Sequence, residues 1–208
     1  MTPQRPIPVR ALFTHGCVAL ALVALSVAPL PLGADDPDPF PQRIERAIGD
    51  RTVKLVRTGK AVRKQLGFKV YDVASYLQDG ARARTAEELS AAPHAKQLHL
   101  IFVMTVPGDD MAITFESTMR KNYPAPAFAK ELQQLLDQVR KNSARKGDRM
   151  LITHIPDKGM HYRFQSKSDV QELLIPNPAF SRAVWDNYFG EYNCGENVKI
   201  GLTAELVR

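Results

Sequence analysis

Thiols are scarce in this chain: its 208 residues hold two cysteines, and one of them, Cys17, lies inside an apolar N-terminal run. Without that run Cys194 stands alone, which excludes an intramolecular disulfide and any cysteine-based metal cluster. The fold must therefore be held by its core. Histidines number five and tryptophans one. No Ser-His-Asp arrangement, phosphate-binding glycine loop or paired-carboxylate motif can be traced, so the common hydrolase and nucleotide sites are not signalled. Internal repeats are absent as well.

Acidic residues are missing from the first 34 positions, where Arg5 and Arg10 precede an apolar run from Ala11 to Leu32. A charged start, an apolar middle and Leu32-Gly33-Ala34 read as a cleavable export signal over residues 1–34. An uncleaved membrane anchor also fits, since about 20 apolar residues span a bilayer. Either reading exports the body, and a periplasmic or otherwise exported location is expected. Removal of residues 1–34 takes away two arginines and no acid, so the formal charge falls from +6 to +4, and a nucleic-acid partner is not expected. Residues 35–42, with three prolines and three acids, read as a linker. The domain is then 43–208.

Within it, Thr52–Thr58, Ala61–Leu66 and Phe68–Leu77 read as strands broken at Gly59 and Gly67. Gln97–Val106 is apolar at both parities and reads as a central strand covered on both faces. Thr85 with Glu88 forms a capping-box pattern before a short helix. Apolar stripes predict helices over Asp109–Asn122 and Ala127–Asn142. Arg149–Ile155, Met160–Ser166 and Val170–Ile175 are strands around a Pro156–Gly159 hairpin loop and a second turn. Asn177-Pro178 opens a helix closed by Gly190, and another is expected from Glu196 to Leu206. Strands, helices, strands and helices in that order give an α+β domain, an antiparallel sheet covered mainly on one side.

The stretch from Gly59 to Leu77, with Arg63 in a Gly-x-x-x-Arg turn followed by Lys69-Val70-Tyr71 and Tyr76-Leu77, resembles the signature of bacterial chalcone isomerase-like proteins. Lys146-Gly147-Asp148 before a strand and Trp185 with Phe189-Gly190 extend the resemblance over roughly residues 50–206. It implies an open-faced β-sandwich, a large antiparallel sheet packed against helices around an apolar cleft. The superfamily includes isomerases that close a chalcone to a flavanone and fatty-acid-binding relatives without that activity, so fold does not settle function. Arg63 matches the isomerase arginine. The isomerase threonine falls on Tyr71, as in the fatty-acid-binding relatives, where the arginine and this tyrosine hold the carboxylate. The isomerase tyrosine and asparagine fall near Met111 and Thr118, which cannot repeat their polar role.

Chemistry supports the same pair. A guanidinium binds a carboxylate through two charge-assisted hydrogen bonds, and a phenol donates a third. Lys69, Met111 and Phe115 complete the expected ligand-binding set, with Met104 and Met119 as adaptable lining. The plainer readings stand beside these: Arg63 and Lys69 as solvated strand residues, Tyr71 as a half-buried strand aromatic, and the Met and Phe stripes as core. His154 and His161 flank the hairpin and could approach across it, depending on register, to hold a metal or haem iron, though as ordinary strand residues they need no ligand. The expectation is a non-catalytic binding protein for a fatty acid or similar apolar carboxylate, with no cofactor, no metal, and no membrane contact beyond an uncleaved N-terminal segment. The alternatives are an isomerase or lyase using Arg63 and Tyr71 on an unsaturated carbonyl, and an interaction or assembly factor.

Overall fold

The computed structural model describes residues 38–49 and 51–206. The expected signal and the first part of the expected linker lie outside the described residues. Seven strands follow one another in a single antiparallel sheet in chain order: β1 Arg43–Ile48, β2 Arg51–Gln65, β3 Phe68–Gln78, β4 Lys96–Phe102, β5 Arg149–Ile155, β6 Gly159–Gln165 and β7 Val170–Ile175. Helices α1 (Ala86–Ala91), α2 (Gly108–Asn122), α3 (Ala129–Arg140), α4 (Pro178–Phe189) and α5 (Glu196–Leu202) complete an α+β domain.

Local chemistry accounts for the helix starts. Thr85 accepts a hydrogen bond from Glu88 N, and Asn177 one from Phe180 N, before a proline at the first helical position. Helix α3 turns Leu132, Leu135, Leu136 and Val139 inward. Each such side chain contributes about 1.5–3 kcal/mol on full burial, far more than helix propensity could supply. Helix α4 is the most deeply set, with Phe180, Val184, Trp185 and Phe189 wholly buried against the sheet.

Strand β4 is fourth of seven and buried on both faces, as its unbroken apolar pattern predicts. Its Leu98, Leu100 and Phe102 join the helix-side core. A second core of Phe40, Ile48, Leu55, Ala74, Tyr76 and Ala95 lies on the other face, roofed by β1 and the segment before it. That segment is tied down. Arg57 bonds the Phe40 carbonyl and pairs with Asp38 and Glu205, and Lys60 also pairs with Asp38. The Lys60 and Phe40 N–H hydrogen bonds hold the Asp38 carboxyl down at about 2. Residues 38–42, read from sequence as linker, are thus part of the sheet's outer cover.

Three further features differ from the sequence reading. Strand β1 was not foreseen, and β2 runs unbroken through Gly59, where a register shift replaces the expected break. Gly59, at φ +156, allows α5 to approach: a Cβ there would fall on the Gly201 carbonyl oxygen. The strand expected over Gln97–Val106 ends at Phe102, and Val106 keeps only an isolated bridge to Ala144.

Candidate functional site

Between the helix-side face of the sheet and α2, α3 and α4 lies a cavity of about 450 Å³. The sheet supplies Leu100, Phe102, Met150, Ile152 and Met160; α2 supplies Met111 and Phe115, and α3 Leu135 and Val139. These are apolar side chains throughout. Among the described lining residues only Arg63 and Asp110 carry charge.

Arg63 and Tyr71 are direct cross-strand partners on β2 and β3, and both line the cavity. That pairing sets the two side chains on one face of the sheet. The register then slips between Arg63 and Lys64, which pairs with Lys69, so Val70 is left as the extra residue of a bulge. Two consecutive residues, Val70 and Tyr71, therefore reach the cavity. The same slip reverses the alternation beyond it. Lys69 is exposed and does not line the cavity, in contrast to its expected place in the ligand set.

The polar end of the cavity is built around the Arg63–Tyr71 pair. Tyr188 from α4 and Cys194 from the loop after it stand beside Tyr71, and Asn187 adds an amide whose Oδ1 is buried with no hydrogen-bond partner. The Asn187 Nδ2 donates to the Phe115 carbonyl at 3.3 Å. Burial pushes the Tyr71 phenol well above its usual range and the Tyr188 phenol up as well, and raises the Cys194 thiol to about 11. All three stay protonated near neutral pH, so they are hydrogen-bond donors rather than bases or nucleophiles. Among the described residues no carboxylate pairs with Arg63. Its Nη1 passes so close to Gly195 that a Cβ there would lie 2.8 Å from it.

Other expected lining residues divide. Met104 and Thr118 line the cavity with Met111 and Phe115, whereas Met119 is wholly buried in the core and does not. His154 and His161 do not approach each other. Register sets His154 opposite Met160 and His161 opposite Thr153, so the two imidazoles leave opposite faces of the sheet. His154 Nδ1 bonds Ser181 Oγ at 2.9 Å, and His161 lies 3.8 Å from Glu172. Among the described residues no group of three or more His, Cys, Asp or Glu could hold a metal ion.

Tyr188, Asn187 and Cys194 were not singled out as site residues from sequence. A signal existed for one: Asn187 follows Ala183 and Val184 at helical spacing and so falls on the apolar stripe of α4, an uncommon placement for an amide. Tyr188 reads there as one more apolar position, and nothing local marks Cys194.

An α+β body with an antiparallel sheet, helices on one face and a mostly apolar cavity with a few convergent polar groups has the makings of a small-molecule pocket. The chain matches the chalcone isomerase-like family over residues 43–203 and belongs to it. Among solved structures it is similar to a fatty-acid binding protein of Arabidopsis thaliana, with a TM-score of 0.55 and 16% identity over 79% of this chain and 90% of that one. At that identity the likeness is one of fold. No curated protein matches by sequence.

Proposed function

We propose that the protein binds a fatty acid or a similar apolar carboxylate, with the carboxylate at Arg63 and Tyr71 and the tail along the apolar wall. One observation carries this reading: a guanidinium without a carboxylate partner lines a mostly apolar cavity, beside the Tyr71 phenol. Leaving a guanidinium unpaired beside apolar surface is unfavourable, and a carboxylate supplies the missing partner through a planar, two-bonded contact. Tyr71, kept protonated, donates to the same head group. The fatty-acid-binding function of a protein with similar fold is in keeping with it.

Binding is favoured over catalysis by the protonation states. An isomerase or lyase that moves a proton on an unsaturated carbonyl needs a base beside the head group; the two phenols and the thiol there are held neutral by burial, and the one carboxylate among the described lining residues, Asp110, comes from α2 rather than from the Arg63–Tyr71 pair. By the resemblance the isomerase tyrosine and asparagine fall near Met111 and Thr118, and the Thr118 hydroxyl donates to its own helix at the Thr114 carbonyl. Export belongs to the same proposal and rests on the N-terminal pattern of charge and apolarity.

The test is native mass spectrometry of the purified protein, with extraction and identification of whatever it retains. A bound long-chain acid, released on Arg63→Ala, is the expected result. Recovery of neutral lipids in place of an acid, or equal retention by the variant, would reject the head-group assignment.

A further inference from the structure

The β2–β3 hairpin runs on past the end of β4. The last β3–β4 pair is Tyr71 with Phe102, and beyond it Val103 N to Val70 O, at 3.1 Å, is the remaining bond. The ribbon from Tyr71 to the turn therefore projects by about 13 Å at strand spacing. Its turn is Leu66-Gly67, with φ +49 and +84, the two positive values that a tight hairpin turn needs and that Gly, Asn and Asp adopt at least cost. Here the first position is a leucine that is 91% exposed, followed by Phe68 at 69%. Local folding does not explain this choice, since a small polar residue would serve the turn better and solvent would favour it.

Immediately behind these two apolar residues, Lys64 and Lys69 are cross-strand partners, both exposed, and among the described residues neither meets an acid. Like charges placed opposite each other repel, unless an anionic surface lies against them. Leu66 and Phe68 also form one lip of the cavity mouth, with exposed Met104 and Ile113 on its other wall. That wall carries Asp110 and, next to it, Asp109, which Arg140 approaches at 3.9 Å. At the mouth the acids thus stand on the α2 wall and the lysine pair on the hairpin.

We propose that the hairpin tip docks on an anionic lipid bilayer, with Leu66 and Phe68 entering the acyl region and Lys64 and Lys69 at the phosphate level. The shape favours lipid over a protein partner. A stable protein interface covers about 800 Å² on each side, whereas this is a narrow ribbon with two large apolar side chains at its end, which suits depth rather than area. Lysine stems lying along apolar surface with their ammonium groups in the headgroup layer complete the arrangement. Membrane contact then extends beyond the N-terminal segment to which the sequence had confined it. The assignment rests on the hairpin alone and holds whatever the cavity binds; where the ligand is an amphiphile, the docked tip sets the mouth against its source.

The test puts a tryptophan reporter at the tip of the full-length chain, as Leu66→Trp, with the wholly buried Trp185 of the wild type as constant background. Vesicles of phosphatidylcholine with phosphatidylglycerol, carrying brominated acyl chains, are expected to shift its emission to the blue and quench it. Vesicles of phosphatidylcholine alone should do so far less. A control reporter at Leu174, half-exposed on β7, should remain unquenched, which separates the hairpin from any attachment through residues 1–34. Neutralising either lysine, as Lys64→Gln or Lys69→Gln, should lower insertion by about fivefold each. With the reporter moved to Phe68→Trp, adding Leu66→Asn should raise the melting temperature yet reduce insertion. A tip that stays wet on both vesicle types, quenching at Leu174 as strong as at Leu66, or undiminished insertion with Leu66→Asn would each overturn the proposal, the first leaving a protein surface as the occupant. Failure here with a retained acid in the cavity would leave the ligand assignment intact.

Discussion

Replacing Arg63 by methionine separates head-group recognition from everything else the cavity does. The side chain is half-buried and has no ion pair among the described residues, so the variant breaks no native bridge. Folding stability should change by no more than about 0.5 kcal/mol, as for substitutions away from packed or paired positions. Binding is different. Hydrogen bonds to a charged group contribute about 1.5–3 kcal/mol, which corresponds to roughly 10- to 100-fold in affinity for the ionised acid. The assay is calorimetric titration at pH 8 with a saturated acid, the alcohol and the methyl ester of equal chain length. Wild type should prefer the acid by that factor. In Arg63→Met the preference should collapse while affinity for the alcohol is kept. Lysine at this position restores charge without the planar fork and should recover part of the loss. Tail burial can be read from the same series, since each added methylene strengthens binding by about fourfold until the cavity is full. The reasoning is refuted if the variant still prefers the acid, or if its loss of affinity comes with an equal loss for the alcohol, because the site would then not read charge at Arg63.

Tyr71→Phe removes one donor to the carboxylate and should weaken acid binding by about tenfold or more, without loss of melting temperature, measured on the same ligands. Gly59→Ala should destabilise by about 3 kcal/mol or prevent folding, because the new methyl meets the Gly201 carbonyl and the φ of +156 disfavours any side chain; a denaturation midpoint equal to wild type would show that α5 yields. His99 and His154 are held neutral by burial, down to about 4 from an ordinary 6.5. The unfolded chain takes up these protons below 6.5 and the folded one only near 4, so the stability present above 6.5 drains away between those values. Each contributes up to about 3 kcal/mol of that loss. His99→Phe should flatten its share of the decline in urea midpoints measured from pH 7.5 to 4.5, and an unchanged slope would refute the assignment.

Much of the fold was legible locally. The caps at Thr85 and Asn177, the stripes of α2 and α3, and the alternation of β5, β6 and β7 are written into neighbouring residues, and the structure follows them to within a few positions. Arg63 and Tyr71 were legible through motif resemblance. Lys69 was misplaced because side-chain alternation has period two, and one bulged residue at Val70 reverses every position beyond it. Strand β1 escaped notice because its pattern is short and half-exposed.

What the sequence determined by itself is therefore most of the elements and their order, since helix and strand periodicity, capping and turn chemistry act over a few residues. The tertiary structure alone decided where they meet. Register made Arg63 and Tyr71 cross-strand partners and sent His154 and His161 to opposite faces. The docking of α4 and the loop after it brought Tyr188, Asn187 and Cys194 to the head of the cavity from more than a hundred residues away. The same long-range packing closed the apolar wall around Arg63 and left Leu66 and Phe68 outside it. Pairing and helix docking depend on contacts between distant segments, and no local pattern encodes their offsets.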